Sequence, residues 1–396
     1  MKRSFSSADR RPLALIAAGS GLIAATYGLV RLAYGLFLPD VQAELSFTAA
    51  AAGLISSGAS VMYCLGAIVG FFVASRRPRS LVIAAALCAS AGAAGMAASP
   101  STAAFAAFAI VSSAGAGLAS PGLVSIVQRN VPAAADDRWQ AMVNAGTGPG
   151  LVAAGILALL LLPNWRLAWF IVAVFAIAIG AAVLGLDRPR SQEAANINSS
   201  GPPVPPGSWF KEHRSIILAA FFLGAGSAAV WNYGRTHLVD AGASEAASVA
   251  AWIALGVGGT AVIGTARLMS SRAPRTAWTI TTLTVAAATA TLALAPDATM
   301  VVLAACSAFG WGYTAATGAL IAWTTHIDVA RAPAGTSVLF VILVFGQALG
   351  ATAIGALASS SGFAVAFLVA SAMTLAATAV PCWKRAPLGQ PGVPVH

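Results

Sequence analysis

Two arginines in otherwise apolar segments are the residues of this chain best suited to chemistry. The first, Arg31, lies in an apolar run from Leu13 to Leu38, with Tyr27 four residues before it and Tyr34 three residues after it. These spacings place the three side chains on one face of a helix. An arginine at membrane depth costs roughly 2.5–3.5 kcal/mol on insertion scales, so it normally faces a bundle interior or a wet cavity. Arg31 therefore predicts a polar site inside a helical bundle.

The elements that must position this site are membrane spans. Of the 396 residues, 58% are hydrophobic and 9% are charged, and the mean hydropathy is +0.82. A soluble domain carries about 25% charged residues, so this composition indicates a polytopic membrane protein. Twelve apolar segments are long enough to span a bilayer: 13–38, 48–74, 81–98, 102–127, 140–162, 165–186, 215–239, 244–268, 277–295, 299–323, 335–358 and 363–383.

A polar stretch rich in Pro, Gly and Ser separates the first six spans from the last six, and its composition is typical of a linker. The expected fold is an all-α membrane protein with twelve transmembrane helices in two pseudo-symmetric six-helix halves. The predicted divisions are a leader at 1–12, a first half at 13–186, a central linker at 187–214, a second half at 215–383 and a tail at 384–396.

The positive charge is distributed unevenly across the predicted membrane. The chain has 22 Lys and Arg, and all of them except Arg31, Arg235 and Arg166 fall on the side of the termini. By the positive-inside rule, both termini and the central linker are expected to be cytoplasmic, in a plasma (inner) membrane. The net charge of +10 is thus spread over membrane-proximal loops, and no nucleic-acid partner is expected.

Short internal matches indicate a duplicated six-helix unit. The segment SRRPRS at 75–80 matches SRAPRT at 271–276, an offset of 196 residues, and Pro100 and Pro296 keep that offset. Halves repeated in this way are related by an axis along the membrane normal. The third and ninth spans, and likewise the first and seventh, are therefore expected to correspond.

The duplication gives Arg31 a counterpart in the seventh span. Arg235 follows Trp231 by four residues, as Arg31 follows Tyr27. In one interpretation, both arginines face a central cavity and grip an anionic substrate, because a guanidinium binds a carboxylate or phosphate bidentately. The two aromatic residues would then hold the guanidinium groups by cation–π contact or stack on the substrate.

A second interpretation makes the arginines an external gate. Both lie in the outer part of their spans, from which a long side chain can snorkel toward acidic residues at the membrane surface. The acidic residues within reach are Asp40, Glu44 and Asp240. The sequence leaves the binding and gating interpretations open.

Further polar residues in the spans are candidates for the same site. Besides Tyr34, these are Asn144, Asn232 and Gln347, although amides at membrane depth also serve as interhelical hydrogen-bond partners. His237 is the candidate for proton coupling, since histidine titrates in the useful range, with an ordinary interfacial histidine as the alternative.

Together with the 6+6 plan, several motifs make the chain resemble the major facilitator superfamily. They are LPDVQAELSFTAAAAGLISSG before the second span, NWRLAWF at 164–170 and GQALGATAIG at 346–355. The family's signature G-x-L-x-D-R-x-G-R-R corresponds to GFFVASRRPR from Gly70, with Ala74 in place of the aspartate. The proton-antiporter arginine of the fourth span is replaced by Val111. The resemblance implies cytoplasmic gating loops carrying Arg76, Arg77, Arg79, Arg272 and Arg275.

Enzyme signatures such as HExxH, a P-loop or GxSxG are absent, so neither catalytic residues nor a metal or other cofactor is expected. The predicted function is secondary active transport by alternating access, with a small organic anion or carboxylate-bearing solute as cargo. The alternatives are a proton-coupled exporter of amphipathic compounds and a non-transporting membrane receptor or sensor on the same fold. The expected partners are a small-molecule substrate, the lipid bilayer and, where transport is coupled, a proton; the protein is expected to be a monomer.

Overall fold

The computed structural model describes residues 7–131, 136–188 and 204–380, and the regular elements of these residues are helices. Eleven of the described helical stretches are long and apolar enough to cross a membrane, and a twelfth apolar helix, Phe363–Ala379, is shorter. The α-helices are α1 Ser7–Ile23, α2 Ala33–Leu45, α3 Ala49–Val73, α4 Pro78–Ala98, α5 Thr102–Asn130, α6 Asp136–Asn144, α7 Thr147–Leu161, α8 Trp165–Leu186, α9 Gly207–Glu212, α10 Arg214–Asp240, α11 Glu245–Ser270, α12 Pro274–Leu294, α13 Thr299–Ile327, α14 Ala332–Ser361 and α15 Phe363–Ala379.

The first span is one continuous helical stretch with a π-helical centre. Residues Ala24–Leu32 join α1 to α2, and the amide of Ala33 donates to the carbonyl of Gly28, five residues back. A Cβ on Gly28 would lie 2.7 Å from the Cα of Gly150, so the bare glycine lets α7 approach this segment closely. The π-helical segment contains Arg31, and such segments occur frequently at functional sites.

The first span is longer than the sequence predicted. The expected end was residue 38, but α2 continues through Pro39 to Leu45 and ends at Ser46 in the left-handed conformation, with φ 54°. A proline is tolerated inside a membrane helix where neighbouring helices satisfy the freed backbone groups. In the turn before Pro39, the carbonyl of Leu36 accepts a hydrogen bond from Arg235 of the other half at 2.7 Å. As a result Asp40 lies on a helix and not in the expected turn.

The fifth span is interrupted. Helix α6 ends at Asn144, and α7 begins at Thr147 after a two-residue turn that includes Gly146. A Cβ on Gly146 would collide with the carbonyl of Ser20 in α1, so glycine allows the backbones to touch at this turn. Helices α6 and α7 therefore both pack on the first span.

Among the described residues, the two six-helix halves meet mainly along three helix pairs. Helix α3 packs against α14, α7 against α11, and α2 against α10. We call the end of the bundle where α1 begins the termini side, and the end where α2 finishes the far side. Close contacts between halves near the far side include Gly53 of α3 against the carbonyl of Ala351, and the Tyr233 hydroxyl donating to the carbonyl of Ala49 at 3.1 Å. These contacts close the far side around the cavity described below.

The end of the predicted central linker is folded. Trp209 of the short helix α9 is 2% exposed and stacks on His213, with ring centroids 3.7 Å apart. The His213 Nδ1 donates to the carbonyl of Trp209 at 2.9 Å, and Nε2 then accepts from the Thr324 hydroxyl at 3.2 Å. Burial lowers the pKa of His213, the desolvation outweighing these polar contacts. The neutral ring therefore anchors the chain before α10 onto α13.

Candidate functional site

The side chain of Arg31 crosses from the first half to the second. Its Nη2 donates to Oε1 of Gln347 in α14 at 2.9 Å, and its Cζ lies 4.7 Å from the ring centroid of Tyr63 in α3. Arg31 takes part in none of the ion pairs among the described residues. The guanidinium is therefore held by an amide oxygen and an aromatic face, and no carboxylate of the described residues neutralises its charge.

Tyrosines on two helices support the guanidinium. The hydroxyls of Tyr27 and Tyr63 are 3.0 Å apart, and their rings meet edge to face with centroids 5.8 Å apart. The cation–π contact of Arg31 is made with Tyr63, whereas the sequence suggested Tyr27. The spacing rule identified Tyr27 because it lies on the same helix, and no local rule connects Tyr63 to Arg31.

Gln347 links Arg31 to an aromatic wall in the second half. Its Nε2 donates to the Tyr313 hydroxyl at 2.9 Å, and the Tyr313 ring is stacked with Phe309 at a centroid distance of 6.0 Å. Trp231 packs edge to face on both rings, with centroid distances of 5.2 and 5.5 Å. The amide is thus fixed by a donor on one side and an acceptor on the other, which orients its oxygen toward Arg31.

Between the halves lies a cavity of about 30 Å³. This volume holds about two water molecules. Five predicted site residues line it, namely Arg31, Tyr34, Trp231, Asn232 and Gln347. The other lining residues are Val30, Leu32, Ser56, Ala59, Ser60, Met96, Ala109, Ser112 and Ser113.

Serine hydroxyls, which the sequence analysis did not single out, form one wall of this cavity. They come from α3 and α5, and the hydroxyl of Ser56 donates to Oδ1 of Asn232 across the halves. The Asn232 amide nitrogen donates to the carbonyl of Ala228 at 2.8 Å, so this side chain is satisfied at both ends. Serine is a common packing residue in membrane helices, so its occurrence in a span does not by itself indicate a function.

Arg235 has a different environment from Arg31. It is 3% exposed and forms an ion pair with Asp40 of α2, donates to the carbonyl of Leu36 at 2.7 Å and donates through Nε to the Ser248 hydroxyl at 3.1 Å. It does not line the main cavity but a second one of about 10 Å³. Asp40 thus provides the acidic contact, while Glu44 pairs with Arg166 at 2.8 Å and Asp240 is exposed.

Two other predicted residues lie away from the cavity. Asn144 is exposed at the end of α6. His237 is buried between the rings of Phe363 and Phe367, and its Nε2 donates to the carbonyl of Leu292 at 2.9 Å. Neither side chain is brought to Arg31, and the proton-coupling role of His237 stays a prediction.

The basic loops at the termini side surround a buried carboxylate. Asp187, at the end of α8, accepts from Arg79 at 2.9 Å, from Nε of Arg129 at 2.9 Å and from Asn130 at 2.8 Å. Burial would raise the pKa of Asp187, but hydrogen bonds from Arg129, Asn130 and Arg79 outweigh it and lower the pKa. Asp187 is therefore a carboxylate partner of Arg79. The aspartate of the family signature is not available for this contact, because Ala74 occupies its position.

The remaining predicted loop arginines are exposed. Arg76, Arg77 and Arg272 face outward, and Arg275 has its Cζ 5.7 Å from the Trp323 ring centroid. Within the described part of the chain, no ion pair joins the two halves at the termini side. Among the same residues, no group of three or more His, Cys, Asp or Glu is placed to hold a metal ion.

Comparisons with known proteins identify the architecture. A family model described as Major Facilitator Superfamily matches residues 20–331. No curated protein matches the sequence. Solved structures with a similar fold include the nucleoside transporter NupG, at TM-score 0.75 and 15% identity over 94% of this chain and 100% of that one.

Two further structures are similar over nearly the whole chain. A D-xylose-proton symporter has a TM-score of 0.75 at 14% identity, covering 95% of this chain and 98% of its own. A bacterial homologue of the human lysosomal transporter Spinster, in an inward-facing and occupied conformation, has a TM-score of 0.74 at 15% identity, covering 95% and 96%. At these identities the likeness establishes the fold alone.

Proposed function

We propose that this chain, which belongs to the major facilitator superfamily and is a membrane transporter, carries a small organic anion by alternating access. The observation that supports the cargo class is Arg31. It lines the cavity between the halves, reaches Gln347 of the other half at 2.9 Å and forms no ion pair with any described residue. A carboxylate entering the cavity would neutralise this charge.

The physical argument is one of compensation. A charged side chain inside the bilayer costs roughly 2.5–3.5 kcal/mol on insertion scales. An amide oxygen and an aromatic face offset part of that cost, yet they leave several guanidinium N–H donors for a ligand. Carboxylates accept such donors in pairs, with geometry and charge both matched. The carboxylate of the cargo would then accept the remaining N–H donors of Arg31, which already contacts both α3 and α14.

Arg235 supports the mechanism in a different way, as an external gate. Its ion pair with Asp40 and its bond to Leu36 tie α10 to α2 at the far side. In alternating access the far side opens when the two halves rock apart, so these bonds would break in that step. The charge asymmetry of the loops supports cytoplasmic termini in the cell membrane, which makes the far side external.

A proton-coupled exporter of amphipathic compounds is the second candidate. The aromatic wall of Trp231, Phe309 and Tyr313 beside the cavity favours it, because aromatic faces accept apolar and cationic ligands. A retained positive charge at Arg31 repels cationic compounds, and for this reason the organic anion is the preferred cargo.

The test is flux into proteoliposomes that contain the purified full chain. We expect saturable uptake of a labelled monocarboxylate, strongly reduced by Arg31→Gln and partly retained by Arg31→Lys, which keeps the charge but loses the fork. Arg267→Gln is the matched control, since Arg267 is exposed in the last turn of α11.

Three results would count against the proposal. Equal uptake by the wild type and Arg31→Gln would remove the binding role of Arg31. Flux of an amphipathic cation with no flux of any acid would favour the exporter. Ligand binding with no flux of any solute would favour the receptor interpretation.

A further inference from the structure

The main cavity contains one charged group. Of its fourteen lining residues, Arg31 alone carries a charge. The second buried arginine is engaged by Asp40, Leu36 and Ser248, and does not reach this cavity. A ligand placed there meets a single cation, so a single negative charge on the ligand is matched and a second one is not.

Two neighbouring serines that line the cavity, Ser112 and Ser113, differ in their hydrogen bonding. The Ser112 hydroxyl donates to the carbonyl of Ala109 in its own helix at 2.8 Å. The hydroxyl of its neighbour Ser113, a residue only 1% exposed, has no hydrogen-bond partner. Buried polar groups without partners are uncommon in native structures, and each costs free energy until a ligand or water satisfies it.

A second unpartnered donor lies in the other half. The indole Nε1 of Trp231 is buried without a hydrogen-bond partner, and Trp231 lines the same cavity. Two residues that line the cavity, one from each half, thus carry a buried polar atom without a hydrogen-bond partner, in addition to the guanidinium of Arg31. Both can be satisfied by hydroxyl oxygens of a cargo, because a hydroxyl is at once donor and acceptor.

Resting on the proposed function, we infer that the cargo is a hydroxylated monocarboxylate. Its carboxylate binds Arg31, and its hydroxyl groups bind Ser113 and the Trp231 indole. A dicarboxylate would bury a second anion without a counter-charge, and a zwitterionic amino acid would bury an ammonium where no lining residue is acidic. An unsubstituted monocarboxylate would leave the two donors unpaired.

Five three-carbon probes separate these features at nearly constant size: glycerate, propionate, glycerol, tartronate and serine. Thermal unfolding of the purified full chain is measured against each probe at neutral pH, up to about 50 mM, and stabilisation gives an apparent Kd by mass action. We expect glycerate to bind about 10-fold tighter than propionate, and glycerol, tartronate and serine to bind at least about 10-fold weaker than glycerate.

Two serine substitutions assign the hydroxyl contact. Ser113→Ala should weaken glycerate by about 3–10-fold and leave propionate unchanged. Ser99→Ala is the control, since Ser99 is equally buried, does not line the cavity and already donates to the carbonyl of Gly95 at 2.6 Å, and it should leave both affinities unchanged. A substitution that weakened both acids equally would indicate a structural effect and would overturn the assigned contact.

The outcomes separate this inference from the proposed function. Tartronate binding as tightly as glycerate overturns the single-charge argument, and propionate matching glycerate overturns the hydroxyl argument. In either case Arg31-dependent binding of an acid leaves the proposed function standing. Stabilisation by glycerol with none by any acid, or no effect of any probe, overturns both.

Discussion

Arg31 and Arg235 follow an aromatic residue by the same spacing in corresponding spans, yet the two regions around them differ in charge balance. Around Arg235, a carboxylate, a carbonyl and a hydroxyl complete a closed contact between α2 and α10. Around Arg31, the partners are an amide and a tyrosine ring beside a cavity. A duplicated sequence pattern thus yields one neutralised arginine and one that keeps its charge. This difference is the basis on which we propose a gate in one half and a binding group in the other.

The largest effect should follow loss of the neutralised arginine. Arg235→Met leaves Asp40, whose side chain is 14% exposed, without its partner. Breaking a buried pair costs about 3–5 kcal/mol, and we expect the lower end of that range here. Thermal or SDS unfolding of the purified protein would measure the loss. The double variant Arg235→Met with Asp40→Leu should recover most of it, because no lone charge remains. A double variant as unstable as the single one would contradict the pairing.

A second change would make the Arg31 region resemble the Arg235 region. Gln347→Glu places a carboxylate where Oε1 now accepts from Arg31, and should neutralise the guanidinium. We expect organic-anion affinity to fall at least about 10-fold, or about 1.4 kcal/mol, in a binding titration. The control Gln347→Met removes the same hydrogen bonds without adding charge, so it should weaken binding less. Unchanged anion affinity in Gln347→Glu would argue against Arg31 as the binding group.

The ion cluster of Asp187 lies within the first half and, like the pair of Arg235 with Asp40, neutralises arginines with a carboxylate. The pKa of Asp187 lies below the ordinary value of 3.8 for this carboxyl group, so the cluster stabilises the fold fully above pH 3.8. This stabilisation is lost as the pH falls from 3.8 through the pKa of Asp187 in the folded protein. Asp187→Asn should lower the free energy of unfolding by about 1–2 kcal/mol at neutral pH. The loss is modest because Arg79 and Arg129 are partly exposed and can bind water instead. The variant should also flatten the acid dependence, because it lacks the titrating carboxyl group. Acid unfolding curves that are parallel for both proteins would rule out this contribution.

The smallest effect on stability is expected at the charged arginine. Arg31→Met orphans no carboxylate among the described residues, so unfolding should change by no more than about 1 kcal/mol. Anion binding should nevertheless be lost in the same preparation. A destabilisation as large as that of Arg235→Met would indicate a structural role and erase the contrast between the two regions.

Much of the fold follows from local rules, and the site follows only in part. Spans were identifiable because hydropathy over about twenty residues reports on the bilayer, and the polar residues inside them were few. Five of the eight proposed substrate-binding residues line the cavity. Tyr63 and Ser113 were not singled out, because tyrosine and serine are ordinary packing residues until a distant group faces them. Asn144 is exposed at the end of α6, because the break before α7 lies within a segment that is apolar in sequence.

The sequence by itself determined that this is a twelve-span membrane protein of two related halves, with a rare arginine in each first span. Its local hydropathy and short repeats are sufficient for that. Only the tertiary structure decided which partners each arginine contacts, because those partners are remote in sequence. Asp40 is 195 residues from Arg235, and Gln347 is 316 residues from Arg31. Because α2 continues through Pro39, Asp40 lies where it pairs with Arg235. Because α3 packs on α14, the partner of Arg31 is the uncharged amide of Gln347.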